Sequence, residues 1–403
     1  MRTTTLLFCA AAVSAALGAC KWTEFDDLED ETWVGSTEKP NVKSTDYGVA
    51  IQRGATGGDG GTLVVIGANQ ATYSELVSSA KGEAKLAATT LELNSQYGIG
   101  NLDAQPIVLA DPTNDDIALI VNGGGSQILV LTGAGQLNMH NLFVTPSTVD
   151  AATYMLAPGQ TATQPLVASG ELVIGTIYTN PPATTPTCKL VDGAAAIKPL
   201  ALGAVRSGAS DDVLAWGTNG KLYRYPGTVF SGCATPAVAI ASHDTGFIPG
   251  HGSQILTIGP NAVLLQGHHE ADDTSILQVY NATSLMPIGG SVSLPKLRTA
   301  AILDTGSQKY AIAGYPANLV GGTAAGQVLL FKVSGMAGIE TSPAATLNDA
   351  QAETNQSFGR AVAAMPFNGK QVIAVAANNE IFVYYRANQT DSTALYDETR
   401  QGR

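Results

Sequence analysis

Four of the five histidines of this 403-residue chain fall within one stretch, His243, His251, His268 and His269, and Glu270, Asp272 and Asp273 follow at once. Neutral imidazole and carboxylate are good ligands for zinc or nickel, so a metal site built from His243, His251, His268, His269 and Glu270 is the first chemistry to weigh. The spacing argues against it, because there is neither a His-Glu-x-x-His helix nor a Cys/His zinc pattern. His268 to Asp273 falls where a hairpin joins two strands, and a solvated polar turn is the favoured reading; no metal or other cofactor is expected. Gly123-Gly124-Gly125 follows a strand but leads into the strand Ile128-Leu129-Val130-Leu131, so no helix dipole faces a phosphate there. No serine elbow and no pair of carboxylates with a positioned base stands out, and no catalytic residue is assigned. Trp216, Tyr223 and Tyr225 would stack on sugars or peptides if exposed, whereas at alternating strand positions such residues pack in the core.

The remaining reactive residues are the cysteines, Cys9, Cys20, Cys188 and Cys233. Arg2 precedes an apolar stretch from Leu6 to Leu17 that closes on small residues, the layout of a secretory signal and too short to span a bilayer. Residues 1–19 therefore leave the fold argument. In an exported chain Cys188 and Cys233 are expected to form one disulfide, with two buried thiols as the alternative. They lie close to one repeat length apart and would face each other from adjacent repeats.

These residues must be positioned by strands. Charged residues are 13% of the chain and Gly contributes 44 residues, a mixture suited to short strands and tight turns. A unit recurs in which an aromatic-Gly strand leads through a loop to a Val/Ile/Ala strand. Tyr47-Gly48 leads to Leu63–Ala68, Tyr97-Gly98 to Ile117–Val121, and Phe358-Gly359 to Val372–Ala377. Weaker copies start near Leu166, Leu202, Ile255 and Thr299, which makes seven units spaced by about 52 residues, near the period of propeller blades. The strands are apolar on both faces, as blades packed face to face require. Asn219-Gly220 and Asn368-Gly369 predict type I′ hairpins, and Leu76 to Leu93 is the best candidate for a helical turn. Trp33-Val34-Gly35-Ser36 or Ala394-Leu395-Tyr396 is expected to complete the closing blade. The net charge of −12 excludes a basic nucleic-acid-binding patch and leaves protein, glycan or a small molecule as partner.

The Phe-Gly and Gly-Ala halves of these units resemble FG-GAP repeats, which build the head of integrin α subunits and many exported bacterial propellers. The resemblance covers residues 46–386 and implies an all-β, seven-bladed β-propeller used for recognition. FG-GAP loops that bind calcium carry Asp-x-Asp-x-Asp-Gly; the nearest approaches are Asp111 to Asp116, with Pro112 in a ligand slot, Asp211-Asp212 and Gly57-Gly58-Asp59-Gly60, so no calcium is expected in most blades, with the Asp111 to Asp116 loop as the alternative. Leu17-Gly18-Ala19-Cys20 resembles the lipobox of bacterial lipoproteins, which implies cleavage before Cys20, lipid on its sulfur and a membrane anchor. The sequons at Asn281, Asn355 and Asn388 are then chance. The expected order is a signal peptide (1–19), an acidic tether with a possible closing strand (20–45), the propeller (46–386) and a tail (387–403). The tether carries six acids within eight positions, from Glu24 to Glu31. The sequence thus predicts a lipid-anchored binding or scaffolding module of the cell envelope, on the periplasmic face or cell surface, with a protein or glycan partner. The alternative is an exported enzyme with a channel or loop active site, a metal-assisted hydrolase among the options.

Overall fold

The structure is a computed structural model; it describes residues 48–53, 60–67, 70–77, 83–92, 107–110, 117–122, 126–131, 137–138, 149–177, 183–231, 236–269, 271–348, 357–367, 370–378 and 380–387. The expected signal and tether, Cys20, Asp111 to Asp116, Gly123 to Gly125, Asn368-Gly369 and both expected closing segments lie outside the described residues. Among the described residues the chain is all-β, with one short 3-10 turn at Gly227–Ser231.

The strands form successive antiparallel sheets, each laid down from the inside outward. The first sheet comprises Gly48–Arg53, Gly60–Gly67, Gln70–Val77 and Glu83–Glu92, and the second Ile107–Ala110, Ile117–Asn122, Ser126–Leu131 and Leu137–Asn138. The third has Ala151–Met155, Gln164–Ser169, Leu172–Ile177 and Ala183–Asp192 in spatial order, with Ala195–Ala196 added at its edge. The fourth has Pro199–Ser207, Ser210–Gly217, Lys221–Tyr225 and Ala241–Asp244; the fifth, Gln254–Gly259, Ala262–His269, Thr274–Asn281 and Pro287–Ser293. In the sixth, Thr299–Asp304, Lys309–Tyr315 and Gln327–Ser334 are followed by two short outer pieces, Gly338–Ile339 and Ala345–Leu347. The last described sheet is Ala361–Phe367, Lys370–Ala377 and Glu380–Ala387.

The innermost strand of each sheet touches the innermost strand of the next, and Ala361–Phe367 touches both Thr299–Asp304 and Gly48–Arg53, so the contacts close a ring. There is accordingly no single core. Apolar clusters lie between neighbouring sheets, and alternate residues of one strand serve different clusters. In Ser210–Gly217, Val213 and Ala215 pack with the third sheet, while Leu214 and Trp216 pack with the fifth. That is the physical reason these strands are apolar on both faces.

The aromatic-Gly signature has an identifiable cause in its last copy. Phe358 is fully buried against Phe382 and Tyr384, with ring centroids 5.3 and 6.3 Å away. Gly359 takes φ +89°, and its carbonyl lies where a Cβ at Gly314 would stand. A large ring followed by a residue without Cβ therefore lets the sixth and last sheets approach closely.

Two local expectations are corrected. The described residues between Leu76 and Leu93 are strand rather than helix: Gln70–Val77 and Glu83–Glu92 are paired, Val77 opposite Glu83. The β-branched pair Thr89-Thr90 suits a strand, and pairing to a neighbour outweighs weak local helix preference. At Asn219-Gly220 only the glycine has positive φ, +79°, and Gly220 N donates to Gly217 O at 3.0 Å. This is a type I turn followed by a left-handed glycine, a three-residue loop rather than the type I′ hairpin.

The outer strand of the fourth sheet does more than complete its own sheet. Ala237–Val238 runs parallel to Leu190–Val191 of the third sheet, and Ala239 N donates to Val191 O. Ile240 N then donates to Arg224 O, and Ala241–Asp244 pairs with Lys221–Arg224. One extended segment thus hydrogen-bonds to two sheets at their rims. Cys188, buried in Ala183–Asp192 beside this junction, is disulfide-bonded; Cys233 lies outside the described residues.

Trp216, Tyr223 and Tyr225 are fully buried, so the stacking role that exposure would have allowed gives way to packing between sheets. The Tyr225 hydroxyl is buried without a hydrogen-bond partner. Burial first, and then the neighbouring Tyr223 and Asp192, push its pKa well above the ordinary 10.0. A raised folded-state pKa means stability that is complete below about pH 10 and lost as pH rises through the folded value. Tyr225→Phe keeps the ring, removes the unpaired hydroxyl and is expected to stabilise the fold by about 1–2 kcal/mol. Thermal unfolding followed from neutral pH to above pH 10 checks it. The variant's loss on the alkaline side should be smaller than wild type's but not zero, because Tyr280 and Tyr315 are also raised by burial.

Candidate functional site on the crossover face

In the described crossovers, which lead into the fourth, fifth and sixth sheets, the chain leaves the outer strand on the face that also carries the turn between second and third strands. His251 lies in the crossover before Gln254–Gly259, and His268 and His269 end the second strand of the fifth sheet beside its hairpin. His243 sits on the outer strand of the fourth sheet, its ring 6.1 Å from that of Tyr280. The topology gathers most of the histidines on one face without converging them, and among the described residues no group of three or more His, Cys, Asp or Glu is placed to hold a metal ion. Glu270 lies outside the described residues.

Strand alternation separates the two adjacent histidines. His269 is partly exposed, and its Nδ1 lies 2.9 Å from Asp272 Oδ1. That oxygen also accepts from Thr274 Oγ1 at 2.7 Å and Thr274 N at 3.1 Å. The Thr274 hydroxyl, then His269 and the Thr274 amide, hold the exposed Asp272 carboxyl down to about 2. The pair is the hairpin cap expected of a polar turn.

His268 is buried, and the order of its hydrogens follows from its partners. Arg298 Nη1 lies 2.5 Å from His268 Nε2. Arginine only donates, so Nε2 accepts and Nδ1 carries the hydrogen. Nδ1 then donates to Ser275 Oγ at 3.1 Å, and Ser275 Oγ donates to Leu297 O at 3.1 Å. The backbone joins in: His268 N donates to Ser253 Oγ at 3.2 Å, and Gly250 N donates to His268 O at 2.6 Å. One residue therefore fastens the crossovers leading into the fifth and sixth sheets. Arg298 reaches onward to Asp273 at 3.7 Å, where Lys296 Nζ also lies 3.7 Å from the carboxylate.

A second hub joins three consecutive crossovers. Asp150, ahead of the third sheet, has a side chain only 5% exposed; Lys198 Nζ lies 3.5 Å and His251 Nδ1 3.9 Å from its Oδ1. Gly170 N donates to its Oδ2 at 2.8 Å. The carboxylate is thus held between the hairpin of its own sheet and the next two crossovers.

Chemically, the Ser275–His268 pair has the wrong polarity for nucleophilic catalysis. A base must take the serine hydrogen, whereas here histidine gives its hydrogen to serine and serine gives its own to a carbonyl. The arrangement spends its polar groups on fixing loops. The histidines stand out in the sequence by type; Ser253, Ser275, Arg298, Asp150 and Lys198 carry no mark there. Their partners are set by which crossovers meet, and sequence spacing carries no signal of that.

No family model matches the chain, and no curated protein matches it. Similar solved structures do exist. BBS1N in complex with ARL6DN superposes with a TM-score of 0.55 at 12% identity, over 90% of this chain and 98% of that one. Raptor from Chaetomium thermophilum superposes with a TM-score of 0.54 at 11% identity, over 89% of this chain and 29% of that chain. Both are β-propeller-containing structures, so the chain has a β-propeller-like, all-β fold.

Proposed function

We propose that this chain is a lipid-anchored, seven-bladed β-propeller of the cell envelope that binds a protein or glycan and performs no chemistry of its own. The observation that carries the binding reading is the crossover face, where His268 and Asp150 tie consecutive loops into one surface. Loops ordered before contact lose less entropy on binding, which favours recognition by a preformed face. Seven blades are supported by the closed circuit of inner strands, and the FG-GAP reading by Phe358-Gly359. A protein partner is further supported by the BBS1N structure, which was solved as a complex with ARL6DN. The anchor rests on Leu17-Gly18-Ala19-Cys20 and the disulfide on Cys188 with Cys233.

Two experiments separate the parts of this reading. Cys20→Ser should move the protein from the membrane to the soluble fraction of fractionated cells, and retention in the membrane would overturn the anchor. Immobilised residues 21–403 should retain a specific envelope component, competed by free protein and lost on charge reversal at Lys296 and Asp273. Retention unaffected by those reversals would move the binding surface off the crossover face.

A further inference from the structure

The chain contains three Asn-Gly dipeptides, at Asn122, Asn219 and Asn368, and Asn219-Gly220 is the one described on both sides. In such a pair the glycine nitrogen, unhindered by a neighbouring side chain, attacks the asparagine Cγ. The Cγ–Nδ2 bond breaks, ammonia leaves with the proton from the glycine nitrogen, and water opens the succinimide to aspartate or isoaspartate. Asn219 is exposed on the crossover face, so water has access.

Every atom that must move is nevertheless held. The attacking Gly220 N is engaged with Gly217 O at 3.0 Å. Asn219 Nδ2, the leaving group, donates to the hydroxyl of the buried Tyr223 at 2.7 Å, and Asn219 Oδ1 accepts from Lys221 N at 3.2 Å. The glycine itself is clamped from the next crossover. Thr245 Oγ1 and Thr245 N donate to Gly220 O at 2.6 and 3.1 Å, and Phe247 O lies 3.1 Å from where a Gly220 Cβ would stand. Bringing Cγ over the glycine nitrogen breaks the Tyr223 and Lys221 bonds together.

We propose that Asn219-Gly220 is a latent deamidation site, closed in the native fold by Tyr223, Lys221 and the Thr245–Phe247 crossover and open only when that crossover lifts. Isoaspartate at 219 would add a methylene to the backbone of the turn that sets Trp216 opposite Leu222. The modification is therefore a permanent record of transient opening at this face.

The test compares the full-length protein with a synthetic peptide of residues 216–224 in the same mildly alkaline buffer, reading the mass gain at Asn219 by peptide mapping. The native protein should deamidate at least about tenfold more slowly, as two or more intact hydrogen bonds on the reacting atoms imply. Equal rates would overturn the proposal. Thr245→Ala and Tyr223→Phe, each checked for retained thermal stability, should both deamidate faster than wild type. If both fold normally and neither is faster, the assigned restraints are wrong.

Discussion

Replacing Asp212 by alanine is expected to cost about 3–5 kcal/mol of stability, because it strands a largely buried guanidinium. Arg224 Nη2 and Nε lie 2.6 and 2.8 Å from Asp212 Oδ2, with the two side chains only 14% and 9% exposed. The other carboxylate oxygen accepts Gly227 N at 3.1 Å and so fixes the start of the 3-10 turn. Arg224 Nη1 also reaches Thr283 O at 3.5 Å, across to the fifth sheet. Removing the acid therefore unpairs a charge, frees a buried amide and loosens a contact between sheets. Asp212→Asn should cost less than alanine, since its oxygen still accepts Gly227 N. Asp212→Ala with Arg224→Met should recover part of the loss, because an absent pair is less costly than half of one. Denaturant unfolding of the four proteins measures all three statements. A fully neutral Asp212→Ala would show that the pair is solvated in solution.

The second large effect concerns Cys188. Cys188→Ala is expected to lower stability by about 2–5 kcal/mol, as loss of a cross-link closing a loop of several dozen residues does. The expected partner is Cys233, and peptide mapping without reduction should yield a fragment joining the two. A fragment joining Cys188 to another cysteine would overturn that pairing. The loss should also be local in its first stage. Amide exchange at Ala239 and Ile240, which donate to Val191 and Arg224 respectively, should quicken more than exchange in the fifth and sixth sheets. Uniform acceleration through all sheets would mean that the cross-link acts on the unfolded chain alone.

Much of the strand content was legible beforehand, and the reason is local. Val372–Ala377 and Val213–Trp216 are apolar on both faces, and short apolar runs between glycine-rich turns specify buried strands whatever they pack against. What escaped was non-local or a matter of one dihedral angle. Glu83–Glu92 contains no strong strand signal of its own and becomes strand through its neighbour at Gln70–Val77. Asn219 tolerates positive φ, so its identity alone does not separate a two-residue turn from the three-residue loop observed. The site shows the same division. His268 and His269 are conspicuous by type, yet the role of His268 depends on residues thirty positions downstream and fifteen upstream, at Arg298 and Ser253, while His269 pairs with Asp272 in its own hairpin. A cluster in the sequence became two separate structural ties, because adjacent residues on a strand point opposite ways.

The segment Ala237–Asp244 has a consequence for how this ring can be recut. A circular permutation that joins the ends and reopens the chain at a crossover leaves every inner-strand contact in place, since those contacts run all the way round. Reopening before Pro199 is different. The new terminus would fall between two sheets already joined at their rims by backbone hydrogen bonds, so the cut would leave them attached to each other. The third and fourth sheets stay tied by their own backbone hydrogen bonds after that cut, and a permuted library should tolerate it.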